Sequence, residues 1–280
     1  MVTNSHKGRG AVSRHEGRFA QREVAYDADE AARRASSGPE TIVRAMRTGK
    51  IIAHNTSPDV PFDRSINPYQ GCEHGCIYCY ARPSHSYLDL SPGLDFESRI
   101  FYKPDAAERL LEEWSRPGYD CQPITIGANT DPYQPAERST RVTRSLLELF
   151  LEYRHPVNLI TKGNLILRDL DLLAELAGRR LCSVAISLPT MDPGLKRIME
   201  PRVPSAEARL KAVAALSTRG IPTSVLVAPV IPAINDGEIE QILEASARAG
   251  AIQASYIFLR LPHEVMALFA EWLETHFPER

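Results

Sequence analysis

The chain has little of what marks a secreted or membrane-bound protein. It holds five cysteines in 280 residues, three of them inside eight positions, so a disulfide framework would leave a thiol unpaired. No apolar h-region follows the basic start MVTNSHKGRGAVSRHEGR, so this is not a secretory signal. No later run approaches the roughly 20 apolar residues of a membrane span. A reducing cytoplasm is the expected compartment, and clustered cysteines there bind metal or do chemistry. A G-x-G-x-x-G fingerprint after the first strand is also missing, which leaves a dinucleotide-binding domain without support. Positive charge is scarce as well. The formal net charge is -2, and the first 22 residues carry five basic residues and one acidic, leaving 28 of the 33 basic and 34 of the 35 acidic residues for the other 258. A duplex-binding enzyme shows a basic footprint; here only the tail has one. Arg138, Arg141 and Arg144, at i, i+3 spacing, read as a solvated helix face. Nucleic acid is therefore a partner that the charge of the main body does not support.

What is present is concentrated in INPYQGCEHGCIYCYARP, residues 66 to 83. Structural zinc takes four ligands, usually as two pairs, and Cys72, Cys76 and Cys79 have no second pair; His74 or His85 offers a Cys3His alternative. Iron–sulfur clusters normally take four thiolates, with the fourth cysteine of a ferredoxin-type run beside a proline. Here Tyr80-Ala81-Arg82-Pro83 has the proline and no cysteine. Three ligands on a cubane leave one iron open, which is what a centre needs to hold a substrate or cofactor. Cys121 and Cys182 each begin an apolar run and read as inert core residues.

With 43% hydrophobic and 24% charged residues, the chain can bury one large core. Residues 1–50 are polar and read as a largely irregular tail, loosely wrapped or without fixed structure; residues 51–280 form the expected domain. There, amphipathic stretches such as AAERLLEEWSR, with Leu110, Leu111 and Trp114 on one face, alternate with apolar runs. RSINPY, PITIGAN, VNLITKG, CSVAISLPT, PTSVLVAPVIP and ASYIFLRLP predict six strands, and FESRIFYK a further short one. Uniform βα alternation implies an α/β fold with parallel strands and right-handed crossovers, either a partial (β/α)6 TIM-type barrel or a doubly wound open sheet. Both place ligands at the carboxyl ends of the strands. Those ends carry the cysteines, Asn129-Thr130-Asp131, Thr161-Lys162, Ser187, the stretch APVIPAIND, and Arg260.

The C-x3-C-x2-C spacing with Tyr78 before the third cysteine resembles the cluster loop of the radical S-adenosylmethionine superfamily. Together with NTDPYQPAE, LITKG, VAISL and VAPVIP it is similar to the spore photoproduct lyase-related branch, in a bacterial subgroup that begins with KGRGA. The resemblance implies a [4Fe-4S] cluster on Cys72, Cys76 and Cys79, with S-adenosylmethionine on the open iron. Reduction cleaves it to a 5′-deoxyadenosyl radical, and a donor such as flavodoxin or ferredoxin supplies the electron. By the same resemblance Tyr78 lies near the adenine, Lys162 meets the methionine carboxylate, Ser187 the ribose, and Thr130 or Asp131 the amino end. The lyase-like branch carries a hydrogen-donating cysteine where this chain has Asn129, so repair of thymine lesions by that route is not expected. Relatives commonly run on past EWLETHFPER, so a C-terminal segment is expected to be missing here. An iron–sulfur carrier without turnover and a zinc-stabilised binding module remain the alternatives.

Overall fold

A computed structural model describes residues 8–19, 40–57 and 60–279. Ten strands are described: β1 (Ile42–Ala45), β2 (Ile52–His54), β3 (Arg64–Ile66), β4 (Tyr69–Gln70), β5 (Arg99–Tyr102), β6 (Ile124–Ile126), β7 (Val157–Thr161), β8 (Cys182–Ser187), β9 (Thr223–Val230) and β10 (Gln253–Phe258). The helices are α1 (Leu94–Ser98), α2 (Ala106–Trp114), α3 (Glu137–Thr140), α4 (Val142–Glu152), α5 (Leu170–Gly178), α6 (Pro193–Met199), α7 (Ala206–Thr218), α8 (Ile239–Arg248) and α9 (Glu264–His276).

The main sheet runs β10-β9-β8-β7-β6-β3-β2. From β3 to β10 every neighbour is parallel and the order follows the chain, while β2 adds antiparallel to β3. All six strands expected from the apolar runs are among these. A doubly wound sheet reverses its strand order at a switch point; this one has no reversal, and it is open rather than closed. The consequence is that six carboxyl ends line one rim in sequence order.

The local chemistry explains the elements. In β7, burial alternates along Val-Asn-Leu-Ile-Thr, the period of a strand with one face on the core. Asp192 accepts from the N–H groups of Gly194 and Leu195 ahead of Pro193, and Ser205 accepts from Ala208 N–H, so α6 and α7 each start on a side-chain cap. The principal core lies between the sheet and its helices, around Leu110, Ile126, Leu146, Phe150, Leu159 and Val184. A second apolar cluster joins Cys76, Ile77 and Tyr78 to Met199, Leu268, Phe269 and Trp272. It seats the cysteine loop on α9.

Two features depart from the sequence reading. The loosely packed tail does not extend through residues 8–19 and 42–45: Ala11 is fully buried, and β1 pairs in parallel with β5. The strand expected from FESRIFYK begins only at Arg99, because Leu94–Ser98 is helical, and it joins a separate sheet, β1-β5-β4. The parts of the tail at residues 1–7 and 20–39 lie outside the described residues. No helix among the described residues is long and apolar enough to cross a membrane. β10 forms the open margin of the main sheet, exposed along its whole length, with Tyr256 and Phe258 packed edge to face on the surface.

His85 lies beneath the cysteine loop. Its Nε2–H donates to the Arg99 carbonyl at 3.0 Å, while Nδ1 is buried without a partner. Burial therefore pushes its pKa down from 6.5 to about 4, since a second ring proton would find no acceptor. A base lowered in the folded state contributes its full stability above the unfolded value and loses it as pH falls towards the folded one. Between pH 7 and 5 this site should cost the cluster-free protein about 2 kcal/mol. Thermal unfolding at both pH values should show a smaller drop for His85→Gln than for the wild type; equal drops would contradict it.

Candidate active site

The cysteine loop follows β3 and β4 and is pinned from several sides. Cys72 N–H donates to the Phe96 carbonyl at 2.9 Å and Ile77 N–H to the Met199 carbonyl at 3.1 Å. Glu73 N–H donates to Gln134 at 2.9 Å, and Gln134 donates back to the Gly71 carbonyl. Arg82 donates twice to the Cys76 carbonyl, at 3.0 and 2.8 Å. Gly75 turns at φ +67°, a conformation that side chains disfavour. Cys72 and Cys76 are buried, Cys79 is partly exposed, and all three are free thiols.

These thiols form an electrostatically costly set. Burial pushes each one up, and for Cys72 and Cys76 nearby anionic groups add to the effect: Asp131, Cys76 and Cys79 for the first, Glu200 and Cys79 for the second. A thiolate-binding centre that carries positive charge removes both penalties. Among the described residues no three His, Cys, Asp or Glu side chains are placed to hold a single metal ion. A cubane gives each thiolate its own iron and does not need them to converge on one. The histidines offered as a fourth zinc ligand each have a contact on one ring nitrogen, His85 Nε2 on the Arg99 carbonyl and His74 Nδ1 3.3 Å from Asp131, and neither is grouped with the thiols around a single ion among the described residues. The residues thus fit an iron–sulfur cluster better than a zinc ion.

Three of the residues named from the sequence meet beside the loop. The Lys162 ammonium donates to Ser187 Oγ at 2.9 Å and stands 5.8 Å from the centre of the Tyr78 ring. It also pulls the Cys76 and Cys79 thiols down. β7 and β8 deliver Lys162 and Ser187 side by side because their registers match, Thr161 opposite Ile186.

Thr130 and Asp131 are at the expected strand end but point into the fold. Thr130 Oγ1 donates to the Tyr69 carbonyl at 3.0 Å. Asp131 accepts from Thr161 Oγ1 at 2.6 Å, Lys162 N–H at 2.7 Å and Tyr133 N–H at 2.8 Å. Burial alone would raise its carboxyl; His74, Thr161 and the Lys162 N–H together outweigh that and hold it at about 2. Asn129 is exposed at the rim, its N–H on Asn67 Oδ1, and Arg260 is exposed beyond β10. Arg144 is tied to Asp169 and Asp171, so the arginine stripe is partly neutralised.

Two buried ion pairs were not anticipated. Glu200 accepts from the Tyr78 hydroxyl and from Arg209, and Arg209 also donates to the Ser187 carbonyl at 2.8 Å. Glu97 accepts from Arg82 at 2.5 Å, both residues being fully buried. The available signal was a charge inside apolar surroundings, as in RIMEPRV and in RLKAVAAL, where Arg209 shares a helix face with Val213 and Leu216.

The chain matches the family model described as "Radical SAM superfamily" over residues 66–245, and it belongs to that superfamily. Its members are enzymes characterised by a [4Fe-4S] cluster and S-adenosylmethionine. Among relatives, it is 39% identical over 222 residues to the uncharacterized protein Rv2578c of Mycobacterium tuberculosis, covering 79% of this chain and 65% of that one. It is 26% identical to the uncharacterized protein MJ0683 of Methanocaldococcus jannaschii over 76% of each. The chain therefore spans somewhat under two thirds of the mycobacterial relative. In fold it is similar to spore photoproduct lyase complexed with dinucleoside spore photoproduct, at TM-score 0.63 and 16% identity over 92% of this chain and 72% of that one.

Breaking a buried pair strands its partner's charge. Glu200→Leu should destabilise the protein by about 3–5 kcal/mol in denaturant unfolding, and the double variant Glu200→Leu/Arg209→Met should recover much of the loss. Equal losses in the single and double variants would contradict the pairing.

Proposed function

We propose that this protein is a radical S-adenosylmethionine enzyme with a substrate yet to be identified. In this reading Cys72, Cys76 and Cys79 hold a [4Fe-4S] cluster with one iron left open, and the open sheet with its helices is the partial (β/α)6 barrel around it. The observation that carries it is the placement of Lys162, a strand-end cation between the Tyr78 ring and Ser187, beside a thiol triplet that has no fourth member. A cluster held there and reduced would supply the electron for cleavage of S-adenosylmethionine into methionine and a 5′-deoxyadenosyl radical.

The chain's own residues bind and orient. Lys162 offers its ammonium to the methionine carboxylate, Ser187 its hydroxyl to the ribose, and the Tyr78 segment its backbone to the adenine. Thr130 and Asp131, assigned by resemblance to the amino end, contribute here by positioning: Asp131 fixes the Lys162 backbone and the cysteine-loop histidine together. A carrier without turnover would need no such polar set on the strand ends. We place the protein in a reducing cytoplasm, with flavodoxin or ferredoxin as the electron donor, and take residues 51–280 as the catalytic domain.

Anaerobic reconstitution should give one cluster, read by iron content and visible absorbance. Cys72→Ala, Cys76→Ala or Cys79→Ala should abolish it, and Cys121→Ala and Cys182→Ala should not. Lys162→Ala should keep the cluster and weaken S-adenosylmethionine binding about tenfold or more, the loss of a charge-assisted hydrogen bond. Stoichiometric zinc in place of iron would overturn the assignment.

Asn129 also argues against a lesion lyase of the spore photoproduct type. An amide N–H is a far poorer hydrogen donor than a thiol, and the chain outside its tail is acidic. An anaerobic assay on a dinucleotide lesion should show no clean multiple turnover by the wild type, whereas a gain confined to Asn129→Cys would locate the missing donor. Repeated turnover to thymine by the wild type would contradict this.

A further inference from the structure

Residues 8–11 of the KGRGA start, which the function above leaves unused, lie on the cysteine loop. A Cβ at Gly10 would fall 1.8 Å from the Gly75 carbonyl oxygen, and one at Gly75 would fall 2.7 Å from Glu97 Oε2. The two backbones meet where no side chain fits. Glu97, fully buried inside the angle they make, accepts Gly10 N–H at 3.0 Å and Ala11 N–H at 2.8 Å. The same carboxylate holds Arg82, and Arg82 holds the Cys76 carbonyl. Arg9 reaches past both to the Glu97 carbonyl at 2.6 Å and to Thr41. Ala11 packs with Cys76, Ile77 and Tyr78.

Beyond this contact the segment crosses to α9. Ser13 donates to Glu271 at 2.7 Å, His15 lies 2.9 Å from the same carboxylate, and Arg18 pairs with Glu264. Residues 8–19 thus form a strap with one end on the cysteine loop and the other on the last helix.

We propose that this strap is the outer wall of the cluster site, with Glu97 as its positioning residue, so that strap docking and the thiol-presenting shape of the loop form one equilibrium. The inference rests on the cluster reading above. Its physical basis is the Glu97 carboxylate. With the strap away, it loses two backbone donors and opens to water, and the Arg82 grip on the Cys76 carbonyl loosens with it. Linkage then runs both ways: a docked strap slows iron loss, and a loaded loop holds the strap down.

The test compares wild type, Gly10→Val and Glu97→Gln, using two readouts that need no turnover: iron release to a chelator and trypsin cleavage after Arg14 and Arg18. In the wild type, loading should slow cleavage of the strap. In Gly10→Val iron should leave about tenfold faster or more, with the strap cut equally fast loaded or empty, as expected for the loss of hydrogen bonds to a buried charge. Glu97→Gln, which keeps the shape and removes the charge, should lie between the two and carries the test if Gly10→Val melts at working temperature. Iron retention unchanged in both variants, or a wild-type strap cut equally fast loaded and empty, would overturn the strap's role while leaving the cluster in place. A wild type that takes up no iron would overturn both.

Discussion

The Asp131 carboxylate is the joint on which the site depends. Its two oxygens gather the Thr161 hydroxyl and Lys162 N–H from the end of β7, Tyr133 N–H from its own turn, and His74 from the cysteine loop. Thr161 and Lys162 stand 30 and 31 residues from Asp131 along the chain, and no hydrophobic contact would fix their relative angle so narrowly. A buried carboxylate is tolerable only when its lone pairs are filled; that requirement makes it a directional clamp. The ammonium of Lys162 stands beside Tyr78 because its backbone is fixed here.

Around this joint the chain repeats one device. Glu97 with Arg82 and Glu200 with Arg209 are ion pairs out of contact with water, and each arginine also donates to a backbone carbonyl, of Cys76 or of Ser187. Such pairs add little net stability compared with apolar residues of the same size. Their value lies in geometry, since a guanidinium fork bonded on several edges admits one orientation. Lys162 differs in kind: its ammonium bonds a hydroxyl, a partner that an anionic ligand can outcompete.

The six parallel strands of the main sheet were legible because each apolar run follows an amphipathic helix or a turn, a pattern that survives without tertiary information even where the strand itself, as in β3 and β6, is three residues long. β1, β2 and β4 are two to four residues long and exist only through their neighbours, so their own residues carry no periodic signal. The clustering of the cysteines was legible from spacing, and the strand-end positions of Lys162 and Ser187 from the βα alternation. That alternation gives position and not direction, which is why Thr130 and Asp131 fall at the right place with their side chains turned inward. Glu97 and Glu200 stayed hidden because their partners stand elsewhere in the chain; Glu200 and Tyr78 are 122 residues apart. The strap was hidden for another reason. Gly10 acts through having no side chain, and polar composition reads the same whether a segment is loose or docked.

The bare margin of the sheet has a consequence for how the protein behaves in concentrated solution. Among the described residues no strand pairs with the outer side of β10, and Ile252, Tyr256 and Phe258 are exposed there. Strand edges of this kind recruit other strands. Self-association should therefore begin edge to edge, by lateral sheet extension at the side opposite β2. A charged residue at Ser255, exposed on this edge, is the economical place to improve solubility.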